Sequence, residues 1–210
     1  YLISLLFISV ISHAQIVNIP DANFKDALVN SMCVDIDGDN VGDIDADTND
    51  DGEIQLTEAE AIAVLTIFNR NISSIEGIQS FINLEELHCW GNQITTIDLS
   101  QNTSLIQLYC RDNQLTSLNV SQNINLRTLS CWINQLTSID VSQNINLEYF
   151  ICNSNQLTDI DISLNPNILG LYCESNLLTY LNIANGGNTN FEEITAYDNP
   201  SLFCIQVDDV

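Results

Sequence analysis

One apolar phrase returns every 21 residues through the middle of the chain, and no other feature restricts the fold as tightly. It reads Leu84, Leu87, Cys89, Asn92, Ile94, and then Leu105, Leu108, Cys110, Asn113, Leu115. Three more copies follow: Leu126, Leu129, Cys131, Asn134, Leu136; Leu147, Phe150, Cys152, Asn155, Leu157; and Ile168, Leu171, Cys173, Asn176, Leu178. Each copy carries a second apolar group downstream, as in Ile97 and Leu99, followed by a further Asn such as Asn102. A single copy cannot enclose its own apolar side chains. Copies stacked as successive turns of a coil can, by sharing faces and backbone hydrogen bonds.

Leu87 and Cys89 are two residues apart, so both point to one side of a short strand. Stacking sets those strands in a parallel sheet, roughly 4.8 Å apart. The Asn column (Asn92, Asn113, Asn134, Asn155, Asn176) falls where the chain turns out of the strand. An amide there can satisfy backbone groups of its own and neighbouring turns, each of which would cost about 1–3 kcal/mol if buried unpaired. The five cysteines of the phrase replace Leu at the third core position, which predicts a buried ladder of reduced thiols. Parallel Cβ vectors near 4.8 Å are a little too far apart for disulfides, and Cys33 and Cys204 sit at opposite ends of the stack. This interval and spacing resemble those of leucine-rich-repeat proteins. The resemblance implies an α/β solenoid, a right-handed superhelix with a concave parallel β-sheet, a mostly irregular convex side and, here, a small helical N-terminal cap.

Residues beside the core positions of each strand should face the concave side. One such column reads Phe68, Trp90, Arg111, Trp132, Asn153, Glu174, Tyr197, and its neighbour Thr66, His88, Tyr109, Ser130, Ile151, Tyr172, Thr195. A third includes Glu86, Gln107 and Tyr149. Both tryptophans of the chain thus fall on one stripe. Large rings with a lone Arg on a solvent face are the profile of a contact surface, although rings at this spacing also stiffen a sheet. The expected ligand contacts are Phe68, His88, Trp90, Tyr109, Arg111, Trp132, Tyr149 and Tyr172. On the opposite side, Asp98, Asn119, Asp140 and Asp161 repeat with little change and read as solvated structure.

Residues 1–14 form a short apolar run ending in Ser12-His13-Ala14. The run is short for a membrane helix and ends in the small residues of a signal-peptide cleavage site, though without the initial Met and basic region. The reading is an exported, secreted or surface protein cut near Ala14, with no transmembrane segment. At the other end, an irregular sixth repeat (Phe191, Ile194, Ala196, Asn199) follows Gly186-Gly187, and no polar closing turn comes after it. The expectation is therefore a leader at 1–14, a cap at 15–61 and a solenoid of about six repeats at 62–210 whose C-terminal cap is missing. A net charge of −24, with four Lys and Arg against 28 Asp and Glu, argues against nucleic acid and anionic membrane as partners.

The cap contains a helical pattern, with Phe24, Ala27 and Leu28 on one face, and then nine carboxylates without a cation between Asp35 and Glu53. Crowding these into one loop is unfavourable unless a cation neutralises them. Asp47-x-Asn49-x-Asp51-Gly52, followed after five residues by Glu58, fits the EF-hand calcium pattern, with Glu53 supplying its backbone carbonyl. Its oxygen donors suit calcium better than a transition metal. Upstream, Asp35, Asp37 and Asp39 with Asp43 and Asp45 resemble the acidic repeats of thrombospondin type 3, and fail the EF-hand pattern because Ala46 holds the last position. Thr57 and Glu60 read as a capping box ahead of 61–65.

A 22-residue repeat with Arg70 at the Asn position opens the solenoid. From there the phrases NISSIEGIQSFINLEEL and NQLTSLNVSQNINL closely resemble bacterial internalin-like proteins, in a secreted form with calcium-type loops and Cys-containing repeats. The resemblance covers residues 16–207 and implies a curved solenoid that binds a protein partner or adheres at the cell surface. A polysaccharide stacked on the tryptophans, or a passive stalk, are the alternatives within the non-catalytic class. Catalysis is not expected: beyond residue 14 the one His is His88, with no nucleophile motif around it.

Overall fold

The parallel sheet follows directly from the repeat, because residues 21 apart meet across neighbouring strands. In the computed structural model, which describes residues 15–187 and 190–208, seven three-residue strands form that sheet. They are β1 (Val64–Thr66), β2 (Glu86–His88), β3 (Gln107–Tyr109), β4 (Thr128–Ser130), β5 (Tyr149–Ile151), β7 (Gly170–Tyr172) and β9 (Glu193–Thr195), in that spatial order. Leu87 pairs with Leu108, Leu108 with Leu129, Leu129 with Phe150, and Phe150 with Leu171. The leader expected at 1–14, with cleavage near Ala14, lies outside the described residues.

The two inward columns of the strands are sealed. Leu87, Leu108, Leu129, Phe150 and Leu171, like Cys89, Cys110, Cys131, Cys152 and Cys173, are 0% exposed. The cysteines are all free thiols. Burial pushes the Cys110 and Cys173 thiols up to about 12 and holds the Cys89, Cys131 and Cys152 thiols well above the ordinary range. Cys33 is buried too, while Cys204, on the last turn, is partly exposed. A thiol reagent at neutral pH should therefore label Cys204 alone in the native protein and all seven cysteines in denaturant. Fewer than four reactive thiols after unfolding would contradict the reduced ladder.

Two asparagine ladders hold the turns together. Asn113 is representative of the first: Nδ2 donates to Cys89 O (3.0 Å) and Cys110 O (3.1 Å), while Oδ1 accepts from Ile94 N (3.0 Å). In the second, Asn102, Asn123, Asn144 and Asn165 are 0% exposed, and each Nδ2 donates to two carbonyls of the preceding turn. Each turn also leaves the sheet through a left-handed residue at the same place: Asn69, Gly91, Asp112, Ile133, Ser154, Ser175 and Asp198. Asn, Gly and Asp tolerate that conformation, whereas a β-branched side chain is strained in it. Ile133, with φ of 49°, is also 42% exposed and gives up little by being replaced. Ile133→Asn should raise stability by about 0.5–1 kcal/mol, read as a higher denaturation midpoint. An unchanged or lower midpoint would show that the turn carries no strain.

Most of the convex side is irregular. Over the last turns, however, it gains a second parallel sheet of β6 (Asp159–Asp161), β8 (Tyr180–Asn182) and β10 (Cys204–Gln206), ordered β10-β8-β6.

The N-terminal end is closed by the segment before β1. Helix α1 (Ala22–Asn30) buries Phe24, Ala27 and Leu28, the face expected from its sequence. Asp21 caps it by accepting from Asn23 N and Phe24 N, and its second oxygen accepts from Ser73 and Ser74 of the first turn. Burial opposes ionisation of Asp21, but these bonds outweigh it and hold the carboxyl below its usual range. Val34 then pairs antiparallel with Leu65, and Cys33 O accepts from Thr66 N (2.7 Å), so the chain covers the outer edge of β1. The expected capping box lies elsewhere. Helix α2 is Leu56–Ala59, boxed by Gln55 and Glu58, and Val64–Thr66 is strand rather than helix. Glu58 wins over Glu60 because its carboxylate also accepts from Thr48 N and Thr48 Oγ1, both at 2.8 Å.

Candidate recognition surface

Strand alternation turns three columns outward on the seven-stranded face, and four consecutive side chains of one column stack on each other. Phe68 lies on Trp90 with ring centroids 4.3 Å apart and planes 4° from parallel. Arg111 sits over the other side of that stack, its guanidinium carbon 4.2 Å from the Trp90 ring centre and 5.0 Å from that of Trp132. Each turn advances by one strand spacing, close to the distance at which rings and a guanidinium pack. The period of the repeat thus builds the ladder. All four side chains are partly exposed.

The neighbouring column is tied down by polar bonds. His88 stacks under Tyr109 (4.5 Å, 20°) and is only 7% exposed, the most covered of the expected contact residues. Its Nε2 lies 3.5 Å from Glu86 Oε2; burial lowers the pKa of the ring while the Glu86 carboxylate opposes that shift. Tyr109 donates to Gln107 Oε1 (2.6 Å), and Gln107 Nε2 donates to Glu86 Oε1 (2.7 Å). Burial and then the Glu86 charge raise the pKa of Tyr109. Further along, Tyr149 donates to Glu192 Oε2 and Tyr172 to Glu193 Oε2, both at 3.0 Å, and these bonds raise both phenol pKa values. The N-terminal half of the face is therefore aromatic around one cation, and the C-terminal half pairs tyrosines with carboxylates. Sequence periodicity identifies the columns, but the sandwich of Arg111 depends on side-chain conformations that no spacing encodes.

The acidic loops fold into tight turns. Asp35 Oδ1 accepts from Asp37 N (3.1 Å) and Gly38 N (2.7 Å), and Oδ2 from Asn40 N (2.7 Å). Burial resists ionisation of Asp35, yet these amides keep its carboxyl below the usual range. Carboxylate oxygens of Asp35, Asp37 and Asp39 lie within 4.8 Å of one another, the one such grouping among the described residues, and their hard donors suit an oxygen-seeking cation. Asp43 instead accepts from Ile36 N (2.9 Å), and Asp45 is not part of the grouping. In the EF-hand-like loop, Asp47 accepts from Gly52 N (2.7 Å) and Asn49 from Asp51 N (2.9 Å). Asp51 binds Glu53 N and Gln55 Nε2, Glu53 pairs with Lys25 at 2.6 Å, and Glu58 serves Thr48 and Gln55. Convergence is thus greater upstream than in the loop that matches the motif, because Glu58 is committed to the helix start.

No protein-family model matches the chain, and no curated protein matches it. Solved structures do. A leucine-rich-repeat protein of Leptospira interrogans aligns over 73% of this chain and 39% of its own, at 21% identity and a TM-score of 0.58. The functional domain of the Listeria monocytogenes internalin InlJ, described as including a cysteine ladder, aligns over 92% and 61% at 21% identity and 0.42. Internalin C2 of the same species aligns over 85% and 94% at 19% and 0.43. The chain spans less than two thirds of the first two, 39% and 61% of their lengths. Together with the seven stacked turns, the Leptospira match establishes a leucine-rich-repeat fold.

Proposed function

We propose that this chain is a non-catalytic recognition module, exported to the cell surface or the medium, that binds a protein partner on its seven-stranded concave face. Phe68, Trp90, Arg111, Trp132, Tyr109, Tyr149 and Tyr172 make the contacts, and His88 supports Tyr109 from beneath. The observation that carries this reading is the Phe68–Trp90–Arg111–Trp132 ladder, a preordered aromatic surface at the solvent face of an otherwise polar, strongly acidic molecule. The internalin-like phrases in the repeats point the same way. Trp90 has Phe68 on one face and Arg111 on the other, so it offers no free indole face to a sugar ring, which favours protein over polysaccharide. Residues 15–61 act as the cap and 62–210 as the binding solenoid. Calcium in the acidic loops, held by Asp35, Asp37 and Asp39 and more weakly by the Asp47 loop, braces that cap next to β1.

Capture from the native extracellular medium tests the reading, comparing the intact protein with the Trp90→Ala/Trp132→Ala variant. Truncating a central aromatic anchor costs about 2 kcal/mol or more, some thirty-fold in affinity, so the double variant should lose its specific partner. Selective labelling of Cys204 shows that the variant is folded. Retention of the same partner by the folded variant would sink the proposal.

A further inference from the structure

Among the described residues, each charged side chain in the outward columns of the seven-stranded face has a polar neighbour on that face, with one exception. Glu86 is held by Gln107, Glu193 by Tyr172 and Glu174 by Thr195. Arg111 has the two indoles and no hydrogen-bond or carboxylate partner. The other three cations of the chain are engaged: Lys25 with Glu53 (2.6 Å), Arg127 with Glu148 (3.2 Å) and Arg70 with Ser31 Oγ (2.7 Å). In a chain with 28 carboxylates, a guanidinium that forms an ion pair with none of them is an exception.

The geometry suits an anionic ligand. A guanidinium carries five N–H donors in its own plane. Rings on either side cover its flanks and hold it in place before any ligand arrives, which leaves its open edge for a bidentate acceptor. Trp90 and Trp132 flank it with ring surface, and Phe68 extends that surface beyond Trp90, so the acceptor has to be carried on an apolar neighbourhood. The long-range field selects further. A polyanion such as an acidic polysaccharide meets a net charge of −24 and this single unpaired cation, and is repelled. One carboxylate on a neutral or basic protein surface is not.

We propose that Arg111 is the receptor for a carboxylate of the protein partner, an Asp or Glu side chain set among apolar residues. This rests on the reading that the concave face binds protein, and names the group it recognises.

Both tryptophans of the chain touch Arg111, so intrinsic tryptophan fluorescence reports this site and no other. The probe is an array of short peptides with a central Glu, Gln or Lys between aromatic and aliphatic neighbours, presented to the intact protein and followed by fluorescence titration of those that bind. Glu-centred peptides should bind at least about ten-fold more tightly than their Gln counterparts and change the tryptophan emission. Arg111→Gln should abolish the preference, and Arg127→Gln should keep it. Equal binding of Glu and Gln peptides by the wild-type protein, or a preference that survives Arg111→Gln, overturns the assignment; the wild-type comparison holds even if the variant does not fold. If such peptides still depend on Trp90, the protein-binding reading stands and only the carboxylate is lost. If no peptide binds, or binding ignores Trp90→Ala, both fall. Arg111-dependent binding of polygalacturonate in place of any peptide overturns the choice of a protein partner.

Discussion

Phe150→Ala should destabilise the protein by about 3–5 kcal/mol, the range for removing a fully buried aromatic ring. Phe150 is 0% exposed and fills a column in which the adjacent turns carry Leu129 and Leu171, its register partners in β4 and β7. Those neighbours are pinned by their own strand bonds and cannot close the cavity. Phe150→Leu restores the residue of the flanking turns and should cost less than about 1.5 kcal/mol, because it stays close to a volume-conserving change. Chemical denaturation followed by the tryptophans, which lie on the N-terminal side of β5, provides the measurement. Equal losses for both substitutions would mean that the ring does something other than fill space. A second, separate transition in Phe150→Ala would show the stack breaking into two cooperative units at β5.

The second large effect is expected at Asn113. Replacement by Leu keeps the bulk and removes four hydrogen bonds. Ile94 N, in a residue with 0% exposure, is left without its Oδ1 acceptor. Cys89 O, Cys110 O and Arg111 O each lose one donor, but retain those of Asn92, Asn134 and Gly91 N. One orphaned buried amide at about 1–3 kcal/mol and three weakened acceptors give a loss of about 2–4 kcal/mol. The amide proton of Ile94 should exchange faster than those of Leu115 and Leu136, whose acceptors Asn134 and Asn155 are intact. Unchanged protection at Ile94 would show that another acceptor takes over.

These two sites also mark how far the sequence can be read. The columns containing Phe150 and Asn113 are legible in the linear chain because a fixed interval converts directly into register, and burial of every Cys in its column follows from that register. The end closure is not legible in this way. Pairing of Val34 with Leu65 joins segments about thirty residues apart with no shared period, and it forms because the outer edge of β1 needs a partner. Helix α2 starts at Gln55, a weak N-cap by residue preference, because Glu58 is fixed by Thr48 from the preceding loop. On the seven-stranded face the interval shows that Arg111 lies between two tryptophans, while the lack of a carboxylate partner emerges only when every other cation has been placed.

The regularity of the asparagine ladders has a further consequence. Since the amide of each turn bonds to the carbonyls of its neighbour in the same manner at every step, one whole turn can be excised or duplicated with both new junctions already chemically matched. Gain or loss of a unit would leave the interior unchanged while moving Trp90, Arg111 and Trp132 relative to the tyrosines farther along. Unequal recombination within the gene could therefore alter the reach of the proposed binding face without a single interior substitution.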